Sequence, residues 1–424
     1  MKKIITVSII GVGARGGETY GRYMNLQKDK YKITNLCDIN AERLNKYGKL
    51  FNVPEKNRFI SATEFFNEKR SELLIISTLD KIHVEIAEKA LKRGYHILLE
   101  KPISDNIQDL KNLLEESKKH NEKIMVCHVL RYTVMIEKIK KLLEDGVIGK
   151  LITVDHTENV GFWHAAHSYV RGNWRRAEET SPMIMAKCCH DFDLLQYFIG
   201  DECESVSSYG DTNFFNKENK PEDTADRCVE CKLIDACPYS AKKIYLDMWK
   251  SFGSSENIWP MNVITDKLPL TEESIYTTIK NGQYGRCVFN CDNDVVDNQT
   301  VIMKFKNNVT ATLKMEAFTK SGGRIIRFFG SKGEIYFDEG KQIIEVRKFY
   351  GDDIKFMLPD LTDDLSGHGG GDNRMINKLY DVLTGNISDI DTSLKNSIES
   401  HLMAIAAEKS RVKGGERILV DSLR

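Results

Sequence analysis

The 424-residue sequence lacks a charge excess of either sign, and it lacks any long apolar run. The formal net charge of −1 at pH 7 gives no reason to expect nucleic acid or an anionic membrane surface as a partner. No stretch of about eighteen apolar residues occurs, so the sequence offers no bilayer-spanning helix. Internal repeats and low-complexity tracts are also missing. The 41% hydrophobic and 29% charged content is typical of a globular protein, and the length allows at least two domains.

A glycine-rich turn near the N-terminus is the strongest local motif. An apolar run from Ile4 to Ile10, typical of a buried strand, leads directly into the pattern Gly-x-Gly-x-x-Gly of residues 11–16. In this pattern the first glycine permits a tight turn, the second lets the backbone approach a pyrophosphate, and the third allows close packing of the following helix. About twenty residues later Asp38 closes a second apolar run, where a carboxylate accepts ribose hydroxyls and repels a 2′-phosphate.

This arrangement predicts a dinucleotide-binding Rossmann unit that prefers NAD to NADP. The alternative is a plain βα turn that holds no nucleotide. The cofactor-binding residues predicted from this motif are Gly11, Gly13, Ala14, Arg15, Gly16 and Asp38.

The organisation of the chain changes near residue 130. Up to that point strand and helix patterns alternate, which predicts a doubly wound α/β Rossmann domain over residues 1–130. Residues 131–424 carry alternating or β-branched runs separated by turn residues, which predicts an α+β domain with an open, mostly antiparallel sheet. The irregular stretch at about 213–297 is interpreted as an insertion. Ligands bind at the carboxyl ends of Rossmann strands. The polar residues at those ends are Thr78, Glu100, Lys101 and His128.

Four motifs together resemble the Gfo/Idh/MocA family, which includes glucose-fructose oxidoreductase and inositol dehydrogenase. They are Gly11-Val12-Gly13, Thr78 with His83, Glu100-Lys101-Pro102, and His190-Asp191-Phe192-Asp193-Leu194-Leu195. The resemblance covers nearly the whole chain. It implies a two-domain NAD(P)-dependent fold in which the nicotinamide lies between the domains over a sugar-like substrate. It also implies homodimers or homotetramers built through the open sheet.

The resemblance assigns proton-handling roles. Lys101 matches the family lysine that contacts the reacting hydroxyl, and His190 matches the general acid/base histidine. Oxidation of a secondary alcohol needs a proton acceptor beside the carbon that gives up hydride, and histidine suits that task. The alternatives are an ion pair of Lys101 with Glu100 and a histidine that only packs at a helix start. Many members carry an aspartate where this chain has Ala186, and the next residue, Lys187, is either a third catalytic candidate or a surface charge.

Donors and aromatic side chains are dense between residues 164 and 176, which predicts a substrate or cofactor loop; the alternative is a solvated basic loop. By resemblance, Trp174 and Arg175 contact the dinucleotide. In Gly367-His368-Gly369-Gly370-Gly371-Asp372, His368 can reach a ligand and Asp372 can cap the next helix, or the segment is a flexible connector. The other cofactor-binding candidates are Thr78, His83, Glu100 and Lys101. The substrate-binding candidates are His128, Arg131, Tyr132, His164, His167, Arg171 and His368.

Five of the ten cysteines fall within the predicted insertion. We expect a large NAD-dependent chain without a leader to be cytoplasmic, in a reducing compartment where clustered cysteines more often bind metal than form disulfides. The spacing Cys228-x-x-Cys231-x5-Cys237 lets three thiolates reach one centre, with Cys287 or Cys291 completing it. This predicts a structural zinc or iron-sulfur site. The alternative is reduced thiols that pack as small apolar side chains.

Taken together, these patterns predict an NAD-dependent oxidoreductase that acts on a secondary alcohol of a small sugar, cyclitol or sugar derivative. One alternative is a glycoside hydrolase or isomerising enzyme in which NAD is reduced and then reoxidised in each turnover. Another, of a different class, is a non-catalytic NAD-binding sensor, which would not need a proton-handling pair.

Overall fold

The computed structural model describes residues 3–255, 258–265, 269–364, 368–388 and 390–424. Its first sheet is six-stranded and parallel, with the order β3-β2-β1-β4-β5-β6. The strands are β1 (Ile5–Ile10), β2 (Tyr31–Cys37), β3 (Arg58–Phe59), β4 (Leu73–Ile76), β5 (His96–Leu99) and β6 (Ile124–Val126). A π-helical segment (Ala14–Gly21) continues into α1 (Arg22–Leu26), and the other helices are α2 (Ala41–Leu50), α3 (Ala62–Phe65), α4 (His83–Lys92) and α5 (Ile107–Ser117).

Strand β4 lies inside this parallel sheet, between β1 and β5, and its composition explains the arrangement. All four of its residues, Leu73 to Ile76, are fully buried. A strand that is apolar on both faces needs helices on both sides, which is the doubly wound arrangement. The predicted Rossmann fold is therefore confirmed.

The second sheet has nine strands in the order β14-β13-β12-β11-β7-β10-β9-β8-β15. They are β7 (Leu151–Asn159), β8 (Cys203–Asp211), β9 (Asn298–Phe305), β10 (Thr310–Glu316), β11 (Gly323–Gly330), β12 (Gly333–Asp338), β13 (Ile343–Lys348), β14 (Ile354–Met357) and β15 (Ile418–Leu419). Every neighbouring pair is antiparallel except β7 with β10. The prediction of a mostly antiparallel sheet is confirmed.

Helices cover one face of this sheet. The helices from residue 134 onward are α6 (Val134–Glu144), α7 (Phe162–Ala165), α8 (Met183–Ala186), α9 (Cys189–Ile199), α10 (Met248–Ser251), α11 (Met261–Ile264), α12 (Glu272–Asn281), α13 (Gly371–Leu383) and α14 (Leu394–Val412). The long helix α14 is joined to β8 because Ser208 N donates to Ser410 Oγ at 2.8 Å. Along β9 and β10 buried and exposed residues alternate, so the opposite face of these strands is open.

Residues 213–297 contain more order than their sequence suggests. Helices α10, α11 and α12 lie there, and the region has an apolar core of its own, which includes Phe215, Tyr245 and Ile275. Helix α12 is not evident in the sequence, because only Ile275 and Ile279 of its ten residues are buried and the apolar period is weak. Its start is fixed by a capping box between Thr271 and Ser274.

The C-terminal chain returns to the first sheet. The N–H of Val126 in β6 donates to Thr392 O at 2.9 Å, and Met125 forms an antiparallel bridge with Ser393. Strand β6 is the outermost strand on this side, so its edge is covered by the segment that leads into α14. Among the described residues, none of the helices has the length and apolar character needed to cross a membrane.

Candidate active site

The glycine turn has the geometry that a dinucleotide requires. Gly11 has φ +87°, and a Cβ there would lie 2.4 Å from Ser77 O. A Cβ on Gly16 would lie 2.2 Å from Gly11 O, so both positions exclude any side chain. A Cβ on Gly13 would meet no protein atom closer than Arg43 at 3.9 Å. The bare backbone at Gly13 therefore faces open space, as a pyrophosphate-binding position must.

Asp38 is tied to this turn at the end of β2. Its Oδ2 accepts from Val12 N and its Oδ1 accepts from Asn40 N, each at 2.8 Å. The carboxylate is nearly buried and fixed beside the backbone that follows Gly11. Because each oxygen has a further lone pair, the carboxylate retains acceptor capacity for ribose hydroxyls. The residues present thus fit an NAD molecule.

Arg15 connects the glycine turn to the far end of the chain. Its Nε donates to Glu100 Oε1 at 2.7 Å, and its guanidinium also donates to Asp372 Oδ1 at 2.7 Å. Tyr20 OH donates to the same Glu100 oxygen at 2.5 Å. Burial would raise the pKa of Glu100, but the charges of Arg15 and Lys101 outweigh it and lower the pKa. Glu100 is therefore an ionised anchor for Arg15.

The glycine-rich segment before α13 supplies the other end of this link. Asp372 was expected to cap the helix, but α13 has no side-chain cap, and Asp372 instead bonds Arg15 and His368. The His368 Nδ1 to Asp372 Oδ2 distance is 2.8 Å. Gly367 lies outside the described residues. The charge of His368 is also one of the weaker causes of the lowered pKa of His190, so the two residues lie within electrostatic range of each other.

Lys101 and His190 come from different halves of the chain and meet. Lys101 follows β5, and its Nζ donates to Ala186 O at 3.1 Å rather than to Glu100. His190 lies in the first turn of α9, and its Nδ1 is buried without a hydrogen-bond partner in the described part of the chain. Burial, and then the charge of Lys101, lower the pKa of His190 well below its ordinary value. A neutral imidazole beside an ammonium group results.

A buried ion network supports this pair from behind. The Lys187 ammonium lies 3.0 Å from Glu158 Oε1, and Arg324 lies 3.1 Å from the other oxygen of Glu158. Arg324 also donates to Asp191, the residue after His190, at 2.8 Å. His156 Nε2 lies 2.8 Å from the same carboxylate. Lys187 is thus held by a carboxylate of β7 and is not a free surface charge.

Three further candidates follow β6. His128 is fully buried, and its ring centroid lies 5.8 Å from that of His190. Arg131 forms a two-pronged pair with Asp193, with both distances 2.7 Å. Tyr132 OH lies 2.9 Å from Thr392 Oγ1. The structure places His128 against the Lys101–His190 pair, whereas the polar ends of Arg131 and Tyr132 contact other parts of the protein.

Two loops at the strand ends are joined by His83. Its Nδ1 lies 2.7 Å from Pro102 O and its Nε2 lies 3.1 Å from Thr78 O. The ring is 1% exposed. His83 therefore ties the loop that carries Thr78 to the loop that carries Lys101, and it reaches a cofactor only through the backbone it positions.

The loop with Trp174 contacts the first half through Asp80. Trp174 Nε1 donates to Asp80 Oδ1 at 3.4 Å, and Ser181 Oγ donates to Asp80 Oδ2 at 2.7 Å. Arg175 instead pairs with Asp292, with both distances 3.0 Å, and with Glu179. Asp80 and Ser181 were missed in the sequence because 101 residues separate them.

His164 lies in α7 and His167 follows it, and both rings pack against Trp259, with centroid distances of 4.8 and 5.2 Å. Burial, and then the charges of Lys187, His167 and Lys101, lower the pKa of His164 well below its usual value, which places His164 near the Lys101 group. His167 also contacts Tyr245: its Nδ1 lies 3.0 Å from Tyr245 OH, and burial lowers its pKa to about 3. Arg171 is fully buried beside Cys228, with 3.4 Å between NH2 and Sγ. His167 and Arg171 thus belong to the core of residues 213–297.

The five cysteines of that region are free thiols. Within the described residues no group of three or more His, Cys, Asp or Glu side chains is arranged to hold a metal ion. The structure nevertheless brings four of the five predicted ligands around one cavity, lined by Cys228, Cys231, Cys237 and Cys287.

Both halves of the chain match known protein families. A family model described as an oxidoreductase family with an NAD-binding Rossmann fold matches residues 5–128. A second model, described as the C-terminal alpha/beta domain of the same oxidoreductase family, matches residues 140–415. Among solved structures, the WlbA dehydrogenase of Chromobacterium violaceum in complex with NADH and UDP-GlcNAcA has a TM-score of 0.69. The match covers 99% of this chain and 96% of the other; the TM-score shows a shared fold, and the sequence identity is 15%.

Two curated relatives differ in how much they share. YteT of Bacillus subtilis, named as an oxidoreductase, is 25% identical over 390 residues, which is 84% of this chain and 85% of YteT. The 2,7-anhydro-N-acetylneuraminate hydratase of Escherichia coli is 27% identical over 208 residues. That match covers 49% of this chain and 53% of the hydratase, so the shared stretch is about half of each protein.

Proposed function

The chain belongs to the Gfo/Idh/MocA oxidoreductase family, whose two models together match most of its length, and we propose that it transfers hydride between NAD and a secondary alcohol of a sugar, cyclitol or sugar derivative. The observation that carries this proposal is the meeting of Lys101, from the Rossmann half, with His190, from α9. NAD supplies the hydride acceptor at nicotinamide C4. The residues of the chain then have to bind the alcohol and take its proton.

His190 is proposed as the general base. The lowered pKa keeps its ring neutral at physiological pH, and the unpartnered Nδ1 shows that the protein leaves part of its hydrogen-bonding capacity unused. Lys101 Nζ makes one hydrogen bond to Ala186 O and has two further donors. These donors bind the substrate oxygen and stabilise the negative charge that develops as the proton leaves. Lys187, held by Glu158 in the ion network behind this pair, adds a second positive charge near the site.

The cofactor residues of this proposal are the glycines of the turn, Asp38 and the loops fixed by His83 and Asp80. Arg15 contributes to cofactor binding by holding the glycine turn in place through its contacts with Glu100 and Asp372. Asp38 favours NAD over NADP because a second negative charge would lie beside its carboxylate. His128, His164 and His368 are the proposed substrate contacts.

The substrate class rests on chemistry and on relatives. The polar side chains that meet here, Lys101, Lys187, His164, His190 and His368, are donors suited to several hydroxyl groups or a carboxylate. The named ligand of the WlbA dehydrogenase is a nucleotide sugar acid, and the named activity of the Escherichia coli relative is hydration of an anhydro-sugar acid. We therefore propose a carbohydrate substrate, with sugar acids as the first compounds to test.

A second candidate function deserves the same experiment. In it, oxidation acidifies the adjacent C–H bond, a leaving group is eliminated, water adds, and NADH returns the hydride. The hydratase relative favours this scheme, and so does His164, a second histidine beside Lys101 and Lys187 that provides another proton-transfer group. There is then no net redox change.

The experiment that separates these functions follows the carbohydrate by NMR in deuterated water while NADH is monitored. The panel contains sugars, cyclitols, uronic and sialic acids and their glycosides, each with NAD. A keto product with matching NADH supports the dehydrogenase. Cleavage or isomerisation with deuterium next to the oxidised carbon, and no NADH, supports the second function. NAD binding with no reaction on the whole panel would favour a binding protein instead.

We also propose a cellular location and an oligomeric state for the enzyme. All ten cysteines are free, which suits a reducing, cytoplasmic location. The open face of β9 and β10, where Ile302 is 57% exposed, is the proposed homodimer or homotetramer surface. Light scattering of wild type and Ile302→Asp tests this, because a lower mass in the variant is expected only if that face is an interface.

A further inference from the structure

A cavity in the region of residues 213–297 is lined by four cysteines and one arginine. Its volume is about 300 Å³, and its lining contains Cys228, Cys231, Cys237, Cys287 and Arg171 among mainly apolar side chains. An antiparallel bridge between residues 227 and 286 places the first cysteine segment beside Cys287. The remaining cysteine of the region, at position 291, does not line the cavity.

Arg171 carries an uncompensated charge into this cavity. The side chain is fully buried, and Nε and NH2 donate to the carbonyl oxygens of Arg286 and Tyr239, both at 2.7 Å. NH1 has no hydrogen-bond partner, and no carboxylate bonds this guanidinium in the part of the chain that the structure describes. A buried cation without a counter-charge is strongly unfavourable. A negatively charged group bound in the cavity would remove this cost.

The sulfur of Cys228 is held at the wall of the cavity by hydrogen bonds. Ala241 N and Arg171 NH2 both donate to its Sγ, each at 3.4 Å. The thiol itself donates to Arg286 O at 3.8 Å, so three hydrogen bonds together fix the position of this sulfur at the cavity wall. Such outer hydrogen bonds are the usual means by which a protein holds a ligand sulfur in place.

We propose that this cavity holds an iron–sulfur cluster ligated by Cys228, Cys231, Cys237 and Cys287. The cavity has about ten times the volume of roughly 30 Å³ that one water occupies in the liquid. A single zinc ion needs four sulfurs gathered at about 2.3 Å, and such a site leaves no space of this size. A four-thiolate cluster fills the space, carries net negative charge, and presents sulfide acceptors to Arg171.

The cluster has a structural role beside the active site. Arg171 ends the helical segment that begins with α7 and carries His164 toward the Lys101 group. A cluster that joins Cys228, Cys231 and Cys237 to Cys287 links the chain before helices α10 to α12 to the chain after them, beside that segment.

The test is metal analysis of full-length protein purified without oxygen and then reconstituted with ferrous iron and sulfide. We expect iron and sulfide in equal amounts, about two or four of each per chain, because four cysteines hold either a [2Fe–2S] or a [4Fe–4S] cluster, with the matching visible and electron paramagnetic resonance spectra. Cys231 is only partly buried, so Cys231→Ser is the least disruptive ligand variant and should lose most of the iron and sulfide.

Cys291→Ser is the matched control, because this partly buried cysteine of the same region lies outside the cavity lining and should keep the cluster. Circular dichroism and NAD binding show whether each variant is folded, so a loss of metal in folded Cys231→Ser supports the ligand assignment. One zinc per chain without sulfide would overturn the proposal. Equal metal content in the two variants, or no metal in folded wild type after reconstitution, would overturn it as well.

Discussion

Alanine at Gly13 should weaken NAD binding without destabilising the fold. Gly13 has φ −81°, and the added Cβ would find its nearest protein atom at 3.9 Å. The free energy of unfolding without NAD should therefore stay within about 1 kcal/mol of wild type. The methyl group would occupy the space of the pyrophosphate, and we expect NAD affinity to fall at least about tenfold, or 1.4 kcal/mol. Calorimetric titration with NAD and urea unfolding measure the two effects.

Alanine at Gly11, in contrast to alanine at Gly13, should destabilise the fold itself. Its positive φ costs about 1–3 kcal/mol for a residue with a side chain. The Cβ would lie 2.4 Å from Ser77 O, and relief of that overlap costs about 1–3 kcal/mol more. Gly11→Ala should thus lose about 2–6 kcal/mol of stability without NAD.

Ligand stabilisation provides an internal check. At one hundred times its dissociation constant NAD should raise the unfolding free energy of wild type by about 2.7 kcal/mol, and much less in Gly13→Ala. If Gly13→Ala keeps both the wild-type affinity and this stabilisation, NAD does not bind at the turn and the reasoning fails.

The remaining predictions concern chemistry and specificity. Lys101→Met and His190→Asn should each lower kcat by about 10²–10⁴-fold with NAD affinity unchanged, as measured by NADH absorbance and titration; unchanged kcat in both would remove their assigned roles. Since the pKa of His190 is lowered below 6.5, kcat/KM for alcohol oxidation should stay level from pH 8 to below pH 6.5 and fall only when His190 becomes protonated. A fall centred at or above pH 6.5 would contradict this. Asp38→Ser should raise the NADP-to-NAD ratio of kcat/KM, and an unchanged ratio would show that Asp38 does not select the cofactor.

Local patterns allowed much of the fold to be predicted. The turn at residues 11–16 and Asp38 depend on steric limits that act over a few residues, so their geometry follows from sequence. Lys101 and His190 were found through motifs, and the structure explains their meeting through α9 and the loop after β5. The supporting ion pairs were not predictable in this way. Arg15 and Asp372 are 357 residues apart, and no sequence period links them.

The cysteines of residues 213–297 also show that local sequence patterns do not determine which distant residues come together. Their spacing suggested a shared site but could not choose between Cys287 and Cys291, because this choice depends on which one faces the cavity. The role of Arg171 was also hidden. It was predicted to bind substrate, whereas the structure places it among thiols, a neighbourhood that no local pattern of charges reveals.

The covered edge of β6 makes the two halves of the chain depend on each other during folding. Until residues 392 and 393 arrive, the first sheet presents an unpaired row of backbone donors and acceptors on this side. Exposed edges of this kind pair readily with strands of other molecules. A ribosome releases the last segment of the chain only after every strand of the first sheet has been synthesised. We therefore expect the N-terminal half, expressed as an isolated NAD-binding fragment, to aggregate more readily than the full chain.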